Sequence, residues 1–241
     1  MSSALTKKNT LTETYIASMF NSIADRYDFL NRLLSLRQDK KWRKHLVAEM
    51  PNRAQSRLLD IATGTGDIII EAYSASKGFD NFVGIDISKN MITKAKLKTQ
   101  KKNIPVTFKL MSAEILEFED NSFDCLTIAF GLRNIINRKR ALQEFYRVLK
   151  PEGRLLILEF FSPPQRIVNK TFSLYMNHVL PKIGALISQK EAYRYLPESI
   201  SQFYSCEELI KIVEKINFTL INKKHFIFQT CNLLSLEKRL P

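Results

Sequence analysis

Apolar residues recur every three or four positions between 11 and 50, where Ile16, Met19, Phe20, Ile23, Tyr27 and Leu30 form one stripe, and this spacing predicts amphipathic helices. Pro51 ends that section. From 56 the rhythm changes to short apolar runs alternating with helical patterns. Strands are predicted at 57–61 and 82–86, followed by helices at 67–76 and 88–100, the second opened by Ser88 as N-cap. Further strands are predicted at 106–111 and 123–130, then a helix at 138–149 with Ala141, Leu142, Phe145, Val148 and Leu149 on one face. Pro151-Glu152-Gly153 reads as a turn into a fifth strand at 154–160. Past Pro163-Pro164 no strand is evident, and 165–200 reads as an inserted helical or loop region. Ser205-Cys206-Glu207-Glu208 is a capping box opening a helix to 216, and 218–223 with 225–231 reads as a closing antiparallel hairpin. This order predicts an α/β fold: a doubly wound, mostly parallel sheet with right-handed crossovers and a C-terminal antiparallel strand. N-terminal helices at 1–51 form a lid on a domain at 52–241, whose insertion at about 165–200 lies on the substrate side.

The first strand, Leu58-Leu59-Asp60-Ile61, runs into Ala62-Thr63-Gly64-Thr65-Gly66-Asp67, a glycine turn that opens a helix. Such glycines let backbone amides approach a ligand closely. The second strand ends on Asp86, 20 residues after Gly66, where a carboxylate can accept both hydroxyls of a ribose. An adenosine-type ligand follows. A dinucleotide fingerprint needs a third glycine, but Ile69 stands there; a phosphate loop needs Gly-Lys-Ser/Thr, which is absent. S-adenosylmethionine fits better. Its α-ammonium would go near Asp60, its ribose to Asp86, and its adenine to Ser112 in the polar Met111-Ser112-Ala113-Glu114 stretch after the third strand. A purely structural tight turn is the alternative reading.

At 241 residues with 45% hydrophobic and 25% charged content, the chain can bury a full core. No apolar run reaches the roughly 18 residues of a membrane span, and no signal-peptide core is evident. Three cysteines far apart (Cys125, Cys206, Cys231) give no metal spacing and no disulfide framework, so no metal and a reducing cytoplasm are expected. The net charge of +13 fits an anionic membrane surface, nucleic acid, or simply a solvated exterior. The lysines at 94, 96, 98, 101 and 102 lack interleaved aromatics for base stacking, which argues against nucleic acid.

Beyond the glycine turn the chain resembles the demethylmenaquinone and ubiquinone-biosynthesis C-methyltransferases. The segments that carry the resemblance are Phe20-Asn21-Ser22-Ile23-Ala24-Asp25-Arg26-Tyr27-Asp28, Phe130-Gly131-Leu132-Arg133-Asn134, Tyr146-Arg147-Val148-Leu149-Lys150-Pro151 and Tyr193-Arg194-Tyr195-Leu196-Pro197-Glu198-Ser199-Ile200. The resemblance implies a Rossmann-like methyltransferase sheet and cofactor contacts at Thr65, Asp86, Ser112 and Ala113. The sequence departs from the family at three places. Ser35-Leu36-Arg37-Gln38-Asp39 replaces Ser-x-Gly-x-His, Ala129 replaces a serine, and the tail at 226–230 lacks a Gly-x-x-x-x-His ending.

The resemblance further implies a polyprenyl quinol drawn from the membrane, in a cytoplasmic enzyme peripheral to its inner face. A homodimer is left open. Loss of a quinol proton makes the ring carbon beside the oxygen electron-rich, and that carbon attacks the methyl in line. Arg133 is expected to stabilise the developing oxyanion, with a water held by Arg133 or Asn134 as base. The competing role for Arg133 is a pair with Glu159 or Asp124 that fixes the loop. Tyr193, Arg194 and Tyr195 are expected at the quinone cleft, with His178 as a second-rank base. The rival functions are an RNA methyltransferase and a non-catalytic scaffold that binds S-adenosylmethionine. Against the first, the fourth strand is followed by Ala129-Phe130-Gly131-Leu132 rather than Asn/Asp-Pro-Pro-Tyr, and Cys125 is expected to be buried and inert.

Overall fold

In the computed structural model, residues 12–35, 37–75, 77–162, 190–227 and 230–239 are described, with backbone only at 34 and 190–194. The N-terminal stripe resolves into three helices: α1 (Glu13–Ile23), α2 (Tyr27–Leu34) and α3 (Gln38–Ala48). Strands and helices then alternate as β1 (Ser56–Ile61), α4 (Asp67–Ser74), β2 (Phe79–Asp86), α5 (Lys89–Gln100), β3 (Val106–Leu110) and β4 (Phe123–Ala129). A single 3-10 turn at Leu132–Asn134 leads to α6 (Arg138–Val148) and β5 (Leu149–Phe160). The chain ends with α7 (Lys190–Ser201), α8 (Cys206–Lys215), β6 (Phe218–Phe226) and β7 (Cys231–Lys238).

The seven strands form one sheet in the order β3-β2-β1-β4-β5-β7-β6, parallel except for β7, which runs against both neighbours. The order reverses direction between β1 and β4. That switch point leaves a crevice at the carboxyl ends of the strands, where ligands of such sheets bind. Alternate residues feed opposite faces, as a two-residue period requires. Leu59, Ile61, Leu126 and Ile157 pack with Phe145 of α6 and Leu209 of α8 on one side; Leu58, Cys125 and Leu156 pack with Trp42 of α3 and Ile69 of α4 on the other.

The predicted caps hold. Ser88 Oγ accepts the Met91 N–H, and Ser205 and Glu208 complete a reciprocal capping box. Two predicted boundaries are corrected. The fifth strand begins at Leu149 rather than 154, its register slipping opposite Phe123–Cys125 while Glu152 takes a left-handed φ of 59°. The last hairpin pairs 218–226 with 231–238, so His225 belongs to its first strand and Cys231 begins its second. β7 lies between β5 and β6 with almost every residue buried, so Leu233-Leu234 shows no alternation that could mark it.

Candidate active site

At the switch point a cleft encloses about 660 Å³ of empty space, its mouth included. Its floor is made by the ends of β1, β2 and β4 (Ala62, Gly64, Asp86, Ala129, Phe130), and α1 covers it with Ile16 and Phe20. A smaller polar recess shares Tyr27, Gly64 and Phe130 and adds Asp60, Thr63, Thr65 and Arg43.

Two residues of this floor carry backbone strain. Ala62 after β1 and Phe130 after β4 hold left-handed φ values of 51° and 57°, a conformation that costs about 1–2 kcal/mol in a residue with a Cβ. The two ends also meet closely, since a Cβ on Gly131 would lie 2.6 Å from that of Ala62. In the turn, Gly64 and Gly66 have φ values of 56° and 81°. Gly64 lines both cavities, whereas Gly66 lets α5 pack against the turn, its virtual Cβ being 3.3 Å from Ala95 Cβ.

Asp86 is pinned through both oxygens: Oδ2 accepts the Gly64 N–H and Oδ1 the Ser88 N–H, each at 2.8 Å. Burial pushes its carboxyl up to about 6 against the pull of those amides. Asp60, at the bottom of the recess, accepts hydroxyls from Thr63 and Thr127 at 2.6 Å. Burial raises it to about 7, the two hydroxyls opposing. Ser112 and Ala113 line the cleft, and Ser112 Oγ accepts the Glu114 N–H at 3.2 Å.

Arg133 follows β4 as expected, but its guanidinium is committed. Nη1 binds Glu159 Oε1 and the Phe130 carbonyl at 2.7 Å, and Nε donates to Ser199 Oγ at 3.3 Å. Of the two roles expected for Arg133, the geometry supplies the loop-fixing pair, with Glu159 as partner. Asp124 instead joins Lys150 and the Arg57 N–H. Asn134 lines the cleft and is aimed by two bonds: its Nδ2 donates to Phe130 O at 3.3 Å, and its Oδ1 accepts the Tyr195 hydroxyl at 3.0 Å. Burial raises the Tyr195 hydroxyl above its ordinary value, which makes it a donor rather than a base. Cys125 is fully buried and its thiol strongly raised by that burial. His178 lies outside the described residues, as do the side chains of Tyr193 and Arg194.

Sequence reasoning missed the polar cluster under the turn. Asp28 of α2 accepts Thr65 Oγ1 at 2.6 Å and Lys98 Nζ at 2.9 Å, and Lys98 also binds Asp67. Arg43 bridges Asp39 (2.6 Å) and Asp67 (3.2 Å), and Ser35 Oγ donates to Asp39. Asp39 thus gives its departure from the family pattern a use. Arg37, at the position where the resemblance implies glycine, keeps a left-handed φ of 62°. The signal available in sequence was the Phe20–Asp28 segment, whose polar residues turn out to face the turn and α5.

The fold resembles that of solved structures at low identity. A SAM-dependent methyltransferase from Aquifex aeolicus superposes with a TM-score of 0.60 at 17% identity, covering 95% of this chain and 99% of that one. The [4+2]-cyclase SpnF gives 0.72 at 14%, covering 95% and 97%. Such a likeness shows the fold alone. Sequence relatives are much closer. The ubiquinone/menaquinone biosynthesis C-methyltransferase UbiE of Geotalea uraniireducens is 42% identical over 213 residues, 88% of this chain and 90% of its own. The demethylmenaquinone methyltransferase of Thermus thermophilus is 42% identical over 202 residues, 83% and 91%. The ubiE/COQ5 methyltransferase family matches residues 8–233, and the chain belongs to it.

Proposed function

We propose that this enzyme transfers the methyl group of S-adenosylmethionine to a ring carbon of a polyprenyl quinol in respiratory quinone synthesis, with demethylmenaquinol as the preferred acceptor. The observation that carries the reading is the 42% identity, across most of both chains, to relatives named for this reaction. The residues at the site suit the methyl donor. Asp86, with both oxygens already oriented by backbone amides, retains lone pairs for a ribose diol. Asp60 lies in the adjoining recess, where an α-ammonium would favour its ionised form. Ser112 and Ala113 edge the part of the cleft left for adenine. When bound, this donor supplies a methyl group already activated by a sulfonium.

The remaining work falls to the chain. Ile16, Phe20, Phe130 and Ile135 make the cleft largely apolar, which excludes water and strengthens any hydrogen bond to a forming quinolate. Asn134 keeps one amide hydrogen and one acceptor position beyond its two bonds, enough to hold the quinol oxygen or the water that removes its proton. Arg133, paired with Glu159, fixes the loop that presents Asn134. The lipid-soluble acceptor also gives the basic surface a use. Phe29 of α2 is 59% exposed, and the exposed charges from Arg26 to Lys44 (Arg26, Arg32, Arg37, Lys40, Lys41, Lys44) are all positive. This face would dock on anionic lipid beside the cleft. Co-sedimentation with vesicles independent of their anionic lipid content would refute that part. Among the described residues no helix is long and apolar enough to cross a membrane.

Cells lacking the protein supply the test of function. Their extracted quinones should shift to the demethylated species and return to normal with wild type but not Asp86→Ala. An unchanged quinone profile would overturn the reading.

A further inference from the structure

Besides the exposed Asp25–Lys94 pair, the helices over the cleft are fastened at two places. Near the end of α1, Asn21 Oδ1 accepts Ser88 Oγ at 2.8 Å and the Asn90 N–H at 3.0 Å, while Asn90 Nδ2 donates to the Asn21 carbonyl at 3.0 Å. At the start of α2, Asp28 accepts Thr65 Oγ1 and Lys98 Nζ, and Lys98 also donates to Thr65 Oγ1 at 3.0 Å. Both fasteners land on the supports of one carboxylate. Ser88 gives its own N–H to Asp86 Oδ1; Thr65 is the neighbour of Gly64, which gives its N–H to Oδ2. Next to the two fasteners in the chain, Phe20 and Tyr27 line the cleft, and a Cβ on Gly64 would lie 3.6 Å from the Tyr27 ring. Lifting α1 and α2 would therefore uncover the cleft and, in the same motion, release both backbone segments that orient Asp86.

We propose that α1 and α2 form an opening lid for the adenosyl ligand, and that Asn21 and Asp28 are positioning residues that couple lid closure to the orientation of Asp86. The proposal rests on the reading of the cleft as a site for S-adenosylmethionine. Closing the lid and ordering the ribose acid are then one event. The ligand is gripped only after it has entered, and release of the spent nucleoside requires both fasteners to part. Asp28 is built for this role. Burial works against its charge, yet Lys98 and Thr65 together hold its carboxyl below the ordinary value, so it remains a charged acceptor.

The test uses the full chain and S-adenosylhomocysteine, measured by calorimetry for affinity and by stopped flow for dissociation. Asn21→Ala and Asp28→Ala should each weaken binding about tenfold, the usual worth of a charge-assisted or doubly used hydrogen bond, mainly through faster dissociation. Asp28→Asn, which keeps an acceptor for Thr65 and loses the charge facing Lys98, should fall between them and wild type. Asp25→Ala removes the solvent-exposed pair with Lys94 at the same corner and should leave affinity within about twofold. With saturating methyl donor the Asn21 and Asp28 variants should keep kcat while KM for the donor rises. Backbone hydrogen exchange should increase over 12–35, 62–66 and 86–90 and nowhere else. Unchanged affinity in both variants would overturn the proposal, as would exchange rising evenly across the sheet, the mark of a general loss of stability. Wild type that binds S-adenosylhomocysteine but methylates no quinol would leave the lid standing and remove the functional reading; wild type that fails to bind it would remove both.

Discussion

Glu159→Ala is expected to be the most destabilising single change near the site. Glu159 is fully buried and Arg133 nearly so; besides the 2.7 Å ion pair, the Glu159 carboxylate accepts the N–H groups of Arg133 (3.2 Å) and Phe160 (2.8 Å). Truncation leaves a guanidinium in a dry setting with only the Phe130 carbonyl and the Ser199 hydroxyl as partners. Breaking one side of a buried pair costs about 3–5 kcal/mol. For a chain of this length that corresponds to a fall in Tm of roughly 10 °C, read by calorimetry or circular dichroism. Arg133→Met should cost somewhat less, because an orphaned carboxyl can take up a proton. The double variant Glu159→Met/Arg133→Met should recover the part of the loss due to the unpaired charge, since an apolar pair replaces the ion pair, but not the part due to the N–H groups of Arg133 and Phe160. A coupling of about 2 kcal/mol or more in that cycle is expected. Losses that simply add, or Glu159→Ala within 1 kcal/mol of wild type, would refute the assignment of Arg133 to holding the loop.

Affinity for S-adenosylmethionine should rise with pH. Burial raises Asp60 to about 7 and Asp86 to about 6, so both are protonated to a large extent at pH 6 and below; the ligand's ammonium and ribose favour the ionised forms, so binding releases protons at low pH. Titration calorimetry should give roughly tenfold tightening between pH 6 and 7.5 and a plateau above; a flat profile in wild type would contradict the assignment. Gly131→Ala places a Cβ 2.6 Å from that of Ala62 and should force the ends of β1 and β4 apart. It should lower stability by about 1–3 kcal/mol and activity with it, measured by thermal melts and turnover. Arg37→Gly removes a left-handed side chain at the head of α3 and should raise Tm by about 2 °C, a small gain that a melt can resolve.

Much of this architecture could be read from the chain because its local and global signals agree. Ser88 and Ser205 cap where their chemistry says they should, and the acids closing β1 and β2 lie at the recess and the cleft respectively. The failures share a cause, in that each depended on contacts distant in sequence. β7 hid because a strand buried on both faces carries no alternation. Arg133 stood open between two roles because its partner, Glu159, is 26 residues away on the neighbouring strand. The segment around Asp28 could be matched to a family but not understood until Thr65 and Lys98, 37 and 70 residues on, were found beside it. The altered 35–39 segment also gains sense in three dimensions, where Asp39 anchors Ser35 and Arg43 rather than leaving a gap.

The most direct measurement is transfer of a carbon-13 methyl from S-adenosylmethionine to demethylmenaquinol in detergent, with the product examined by NMR. The account predicts one labelled methyl on a ring carbon, and a kcat/KM at least about 100-fold lower in Asp86→Ala, which loses two hydrogen bonds to a charged group. Label on a quinol oxygen, label in added RNA with none in the quinol, or full activity in Asp86→Ala would contradict it.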